Sequence, residues 1–269
     1  MHVIDSLDDP RVASYRNLRD RTLRGESLFM AEGREVVLRL LESPYPVESV
    51  LVAQKHGEEF RALVGDRAPL YVAPESLVSR IVGFPFHLGV LAVGRRRALP
   101  ALDELLPPPE TDVGLRLVVL PEVTKPENLG LVVRSAAGFG LDAVVLGPRC
   151  CDPLSRRAMR VSMGAVVQAP MTRSADLAAD LEAVHERWGV IRVAAVLDRR
   201  ALPLAEFRWP RRAAVLVGNE TAGLRDGWLS QCDQRVTIPM QAGVDSLNLG
   251  VAAGIFLYAM ALGRAGGPE

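Results

Sequence analysis

Three stretches beyond residue 120 put polar side chains at places where the backbone must change direction. The first is Pro121-Glu122-Val123-Thr124-Lys125-Pro126-Glu127-Asn128, which runs into a helical stretch carrying Arg134 among Val132, Val133, Ala136 and Ala137. A guanidinium in such surroundings needs a partner, because an unpaired buried charge is costly. Physical chemistry leaves two readings for Arg134, a phosphate-bearing ligand or a structural ion pair. Asn128 is placed either to touch a ligand or simply to cap the helix. The second stretch is Gly218-Asn219-Glu220-Thr221-Ala222-Gly223, directly after an apolar run. Its glycines allow a sharp turn or a close approach of backbone to a ligand, and Glu220 would project at a sheet edge within reach of a cation such as Arg134. The third runs from Val236-Thr237-Ile238-Pro239-Met240 to Ser246-Leu247-Asn248-Leu249-Gly250. Pro239 ends a sheet ladder there, and apolar side chains suited to an adenine face come together with free backbone groups.

Several chemistries lack their residues. No GxGxxG follows a strand and no GxxxxGK[ST] is present, so a nicotinamide or triphosphate enzyme is not indicated. There is no GxSxG elbow, and no histidine lies in these stretches to activate Ser246. His2, His56, His87 and His185 are scattered, which argues against a metal site. Cys150, Cys151 and Cys232 form no paired framework and read as reduced thiols.

The elements that must position these residues are legible as apolar patterns. Residues 115–120, 143–146, 190–197 and 213–217 read as buried parallel strands separated by helices. Residues 128–139 and the Ala-rich 246–262 read as helices, the latter with Gly250 and Gly254 allowing close approach of a neighbour. Pro107-Pro108-Pro109 marks a linker over 100–112, dividing an α/β domain at 1–99 from a second at 113–269. In the first, 31–41 reads as a helix, and 49–53, 70–73 and 84–93 as strands.

Of the 269 residues, 49% are hydrophobic and 24% charged, a composition that supports two packed cores. No apolar run is long enough to span a bilayer and Met1-His2-Val3-Ile4-Asp5 lacks signal-peptide regions, so a cytoplasmic protein without a membrane partner is expected. The formal net charge is zero, against the basic excess usual for polyanion binding. Arginines are nevertheless grouped: Arg11, Arg16, Arg19, Arg21 and Arg24 near the start, and Arg149, Arg156, Arg157 and Arg160 further on. Each group is either a footprint on a polyanion or a solvated face.

Taken in order, the three stretches resemble the signature motifs of the SpoU (TrmH-type) RNA methyltransferases of the SPOUT superfamily. The similarity covers most of 115–262 and extends to Ser155-Arg156-Arg157-Ala158-Met159-Arg160-Val161-Ser162-Met163-Gly164-Ala165. Phe29-Met30-Ala31-Glu32-Gly33 resembles the start of the small substrate-binding domain carried by many members, which is related to a ribosomal protein fold. The resemblance implies an α/β fold whose C-terminal parallel-sheet domain contains a trefoil knot, preceded by a smaller RNA-binding α/β domain. It implies S-adenosylmethionine held by Leu216, Val217, Gly218 and Asn219 from the second stretch and Ile238, Met240, Leu247 and Asn248 from the third. Asn128, Arg134, Glu220, Ser246 and Asn248 match positions credited with catalysis or with ordering the site.

The implied activity is 2′-O-methylation of ribose in structured RNA, ribosomal in preference to transfer RNA, by a homodimer formed through the C-terminal domain. Arg11, Arg16, Arg19, Arg24, Arg156, Arg157 and Arg160 are the expected RNA contacts. Asn128 and Arg134 are expected to face the RNA, Arg134 by orienting ribose and phosphate, since a guanidinium is hard to deprotonate. Asn248 or a water would assist departure of the proton. The alternatives are a non-catalytic RNA-binding protein with the same fold and a small-molecule methyltransferase. Three positions depart from the family pattern: Lys125 where an Asp is frequent, Gly250 where a second serine is frequent, and Leu131.

Overall fold

The structure, a computed structural model, describes residues 1–16, 27–241 and 246–265. In chain order its elements are β1 (His2–Val3), β2 (Leu28–Glu32), α1 (Arg34–Leu41), β3 (Val47–Ala53), α2 (Gly57–Val64), β4 (Leu70–Ala73), α3 (Glu75–Val82), β5 (Val90–Arg95) and α4 (Leu102–Leu105). There follow β6 (Leu115–Leu120), α5 (Pro126–Gly138), β7 (Ala143–Leu146), α6 (Arg156–Val161), β8 (Met171–Arg173), α7 (Leu177–Trp188) and β9 (Ile191–Val196). The last are β10 (Leu202–Pro203), β11 (Arg212–Leu216), α8 (Asp226–Leu229), β12 (Gln234–Thr237) and α9 (Leu249–Ala265). Among the described residues no helix is long and apolar enough to cross a membrane.

The chain packs as two compact units. The first comprises Met1–Ala98 and Asp152–Gln168. Its sheet has the order β1-β4-β3-β5-β2, with β1, β4 and β3 parallel and the last two strands antiparallel to their neighbours. The β-branched runs of β3 and β5 bury nearly every side chain, and Ile4, Tyr15, Met30, Leu51, Ile81 and Leu91 form a core beneath α3. Here the sequence reading needs three corrections. Ala31 and Glu32 belong to β2, so the helix placed at 31–41 starts at Arg34, and the strand placed at 84–93 starts at Val90. Residues 152–168, which sequence division put in the second domain, pack with the first unit. The reason is a set of polar ties: Arg96 grips both carboxylate oxygens of Asp152 at 3.0 and 2.6 Å, Arg156 pairs with Glu32, and Arg39 donates to the Met163 carbonyl at 2.7 Å.

The second unit comprises Leu99–Cys151 and Ala169–Glu269. Its seven strands are all parallel in the order β10-β12-β9-β11-β6-β7-β8. The four strands expected from apolar runs form its middle, and β6 is buried from end to end. The short β8, β10 and β12 complete it. The segment read as a linker is part of this unit. Leu102 and Leu106 enter the core, Trp188 donates its indole N–H to the Pro107 carbonyl at 2.7 Å, and Thr172 donates to Pro100 at 2.7 Å.

Strand order reverses beside β6: β7 lies on one side, while β11 and β9 lie on the other. Such a switch point opens a crevice at the carboxyl ends of the strands, where ligands of open α/β sheets bind. All three chemistry-bearing stretches leave the sheet at that edge, after β6, β11 and β12.

Candidate active site

The stretch after β6 enters α5 with Pro126 in its first turn, where the missing N–H costs nothing. The cap position is Lys125, not Asn128 as the sequence suggested, and no side chain of α5 caps it. Asn128 sits in the first turn, 3% exposed, and its amide is spent inside the protein. It donates to Glu220 Oε1 at 3.1 Å and accepts from Asn248 Nδ2 at 3.0 Å. Asn248 in turn caps α9, its Oδ1 accepting from Gly250 N at 2.9 Å and Val251 N at 3.3 Å.

These bonds run in one direction, from the amides of α9 through Asn248 and Asn128 to the carboxylate of Glu220. The helix amides can only donate and the carboxylate can only accept, so both ends dictate the same orientation for the two side-chain amides. The three stretches are thereby tied into one polar chain. Asn128 consequently does not face outward to RNA, and Asn248 has no free acceptor with which to take a proton.

Glu220 does not meet Arg134. Its Oε1 accepts from Lys125 N at 2.9 Å, and its Oε2 accepts from Thr124 N at 3.3 Å, Thr124 Oγ1 at 3.1 Å and Asn219 Nδ2 at 3.3 Å. The carboxylate therefore serves the uncapped start of α5 through space. Burial pushes its pKa up, but the hydrogen bonds from the backbone of Lys125, from Asn128 and from Thr124 outweigh that and hold it below the ordinary value. Arg134 lies on the outer face of α5, exposed, and among the described residues no acid or carbonyl pairs with it. The expectation of a buried, partnered guanidinium is thus corrected. It is a free fork facing outward.

Beside this chain lies a cleft of about 180 Å³ whose lining includes Val217, Gly218, Asn219, Ile238, Met240 and Leu247. Glu220 and Ser246 also line it. Leu216 does not: it is fully buried in β11. Asn248 is turned toward Asn128 instead. Sequence reasoning missed Ala195, Val196 and Leu197 at the end of β9, and Ala252 and Phe256 on α9. Gly218 is required by crowding. A Cβ there would stand 2.2 Å from the Gly223 carbonyl carbon and 2.3 Å from Leu224 N, so the two limbs of the loop touch backbone to backbone.

The three departures from the family pattern now have local explanations. Lys125 contributes its backbone N–H, so its side chain is free to vary. Gly250 and Leu131 face each other: a Cβ on Gly250 would be 2.8 Å from Leu131 Cβ and Cδ1. The leucine on α5 occupies the space that a serine on α9 would need.

The arginine groups fare unevenly. Arg11 is chelated by Asp9 at 2.6 to 3.1 Å, Arg16 donates to the Asp9 carbonyl at 2.8 Å, and Arg156 is committed to Glu32. Arg157 and Arg160 are exposed. Arg19 and Arg24, and residues 242–245 of the third stretch, lie outside the described residues. Burial raises Cys150 above its ordinary value and lifts Cys151 to about 12, so neither thiol is a ready nucleophile at neutral pH. Among the described residues no group of three or more His, Cys, Asp or Glu side chains could hold a metal.

An all-parallel α/β unit with a largely apolar cleft at its switch point, closed by loops rather than by a phosphate-cradling glycine turn, defines a cofactor-binding enzyme domain. The SpoU rRNA Methylase family model matches residues 116–258, and the chain belongs to that family of RNA methyltransferases. An uncharacterized tRNA/rRNA methyltransferase of Mycobacterium tuberculosis is 38% identical over 261 residues, 93% of this chain and 88% of the relative. The 23S rRNA (guanosine-2′-O-)-methyltransferase RlmB of Acinetobacter baylyi is 35% identical over 189 residues, 69% of this chain and 75% of the relative. Among solved structures, the AdoMet-bound rRNA methyltransferase of Sinorhizobium meliloti superposes with a TM-score of 0.81 at 27% identity, covering 99% of this chain and 98% of its own.

Proposed function

We propose that the protein transfers a methyl group from S-adenosylmethionine to a ribose 2′-hydroxyl in structured RNA, ribosomal RNA ahead of transfer RNA. The observation that carries this reading is the juxtaposition of the cleft with the Asn248–Asn128–Glu220 chain, which joins all three motif segments. The cleft suits the cofactor: Ile238, Met240, Leu247 and Phe256 offer apolar surface for a purine, and the Val217–Asn219 backbone and the Glu220 carboxylate offer polar partners. S-adenosylmethionine supplies the electrophilic methyl of a sulfonium.

The residues of the chain do the rest. Glu220, Asn128 and Asn248 hold the cleft loops to α5, so that the wall is fixed before substrate arrives. Arg134 presents a planar fork to the phosphate and ribose of the target nucleotide and orients the hydroxyl, whose proton passes to water as the methyl transfers. Ser246, at the cleft wall, contacts the cofactor or the ribose.

The wider reading has further support. A trefoil knot in the C-terminal segment fits the tight backbone crossing at Gly218 and the packing of α9 on α5, after a strand three places from β6. A homodimer through this domain fits the apolar stripe left open on α9, where Val251, Ile255, Tyr258 and Leu262 are 49, 39, 53 and 54% exposed at helical spacing. Phe139 extends the stripe by packing on Tyr258 with ring centroids 5.7 Å apart. Arg157 and Arg160, exposed on the first unit, are the RNA contacts in this reading, and an RNA substrate fits a cytoplasmic protein. The test is titration with S-adenosylmethionine by calorimetry, followed by tritiated-methyl transfer to unmodified ribosomal RNA, transfer RNA and nucleosides. Binding with transfer to ribosomal RNA supports the reading. Absence of binding leaves a non-catalytic RNA-binding protein, and transfer to nucleosides alone leaves a small-molecule enzyme.

A further inference from the structure

Three loops at the carboxyl edge of the second unit meet at one carboxylate that the chemistry above does not use. Glu122 follows β6, Arg149 follows β7, and Arg225 follows the Gly218–Gly223 turn after β11. Both arginines reach the same oxygen, Glu122 Oε2, through Nη2, Arg149 at 2.8 Å and Arg225 at 3.2 Å. The carboxylate side chain is only 18% exposed, whereas the arginine side chains are 54% and 57% exposed. The negative charge thus lies beneath two guanidiniums that face water.

Stability does not account for this arrangement, since exposed ion pairs contribute little and two cations sharing one anion repel each other. The charge count is two positive against one negative, which leaves room for one monoanion. The loop bearing Arg149 is also held rigid from below. Arg173, at the end of β8, donates to the carbonyls of Gly147 at 3.2 Å, Cys150 at 3.0 Å and Cys151 at 2.8 Å. Glu122 stands two residues before Thr124, whose backbone N–H and hydroxyl bind Glu220, so the carboxylate on which both arginines converge belongs to a loop of the site.

We propose that Arg149 and Arg225, spread on Glu122, form a clamp for a backbone phosphodiester of the RNA next to the target ribose. A phosphodiester carries the single negative charge that completes the balance, and among the described residues Glu122 alone pairs with the two forks. The inference rests on the RNA-methyltransferase reading and adds to it a substrate-positioning site. It also separates Arg149, in this unit, from Arg156, Arg157 and Arg160, with which sequence proximity had grouped it.

The test compares wild type with R149A/R225A and R149K/R225K in methyl transfer to unmodified ribosomal and transfer RNA, with cofactor affinity measured separately. For the alanine pair, KM for RNA should rise roughly tenfold or more, and the slope of log affinity against log salt should fall by about 1. Cofactor affinity and kcat at saturating RNA should be unchanged, and the lysine pair should keep the wild-type salt slope. An alanine pair that binds cofactor normally, with KM and salt slope unchanged, overturns the clamp while the proposed function stands. If the alanine pair loses cofactor binding, the lysine pair decides: its salt slope must match wild type and its KM must rise, and an unchanged KM overturns the clamp. A wild-type protein that methylates neither RNA overturns both.

Discussion

Replacing Glu220 by glutamine keeps the shape of the side chain and removes its charge and its capacity to accept on both oxygens. If the amide oxygen is turned toward Lys125 N and Asn128 Nδ2, the new NH₂ faces Thr124 N and Asn219 Nδ2. If it is turned the other way, the NH₂ faces Lys125 N and Asn128 Nδ2. Either rotamer sets two N–H donors against a donor. Hydrogen bonds to a charged group are worth about 1.5 to 3 kcal/mol, and partial access of water reduces each loss to about 1 kcal/mol. The sum of about 2 kcal/mol corresponds to a roughly 30-fold change in an equilibrium constant. That loss falls on the loop carrying Gly218, Asn219 and Thr221, all of which line the cleft.

Calorimetric titration of E220Q with S-adenosylmethionine should therefore show affinity weaker by roughly 30-fold, with the circular dichroism spectrum of the wild type. An unchanged dissociation constant would refute the role assigned to the carboxylate. The same group predicts a pH dependence. Its folded pKa is lowered, so its contribution is complete above the ordinary carboxylate pKa and is lost as pH falls through the lowered value. Wild-type cofactor affinity should be flat through neutrality and fall in acid, and E220Q should lack that acid limb.

Arg134→Lys should bind cofactor normally and lose most methyl transfer in a tritiated-methyl assay, because a point charge cannot reproduce the planar fork. Gly250→Ser should lower stability by about 1 to 3 kcal/mol through overlap with Leu131, read as a fall in Tm, and Leu131→Ala, which removes Cδ1 but keeps Cβ, should restore only part of it. Ile255→Asp, in the middle of the open stripe on α9, should convert a dimer to a monomer in analytical ultracentrifugation.

What the sequence made legible was local. Continuous apolar runs marked the four inner strands of the second unit, because strands of a parallel sheet are buried on both faces. The two-residue β10 carries no such signal, and the order of strands depends on contacts distant in sequence. For that reason the end of β9 was missed as a wall of the cleft. Other errors had signals that were present. Pro126 is favoured in a first turn and would have placed the start of α5 ahead of Asn128. At about 100° per residue, Arg134 falls roughly 150° from the centre of the stripe formed by Leu129, Val132, Val133 and Ala136, which puts it on the outer face. The motif residues were found, but their pairing was not. Among the described residues Glu220 pairs with no cation: its partners are two backbone amides and the side chains of Thr124, Asn128 and Asn219, a convergence that depends on the fold. The covering of β2 by residues 152–168 likewise depends on ion pairs such as Arg96 with Asp152, formed across a long stretch of chain.

The central claim, ribose methylation that depends on Arg134, is tested most directly by mapping 2′-O-methyl groups in ribosomal RNA from a strain lacking this gene. The deletion should lose one 2′-O-methylated nucleotide, restored by the wild-type gene and not by one encoding R134K. An unaltered 2′-O-methylation map, or loss of a methyl group from a base instead of a ribose, would contradict it.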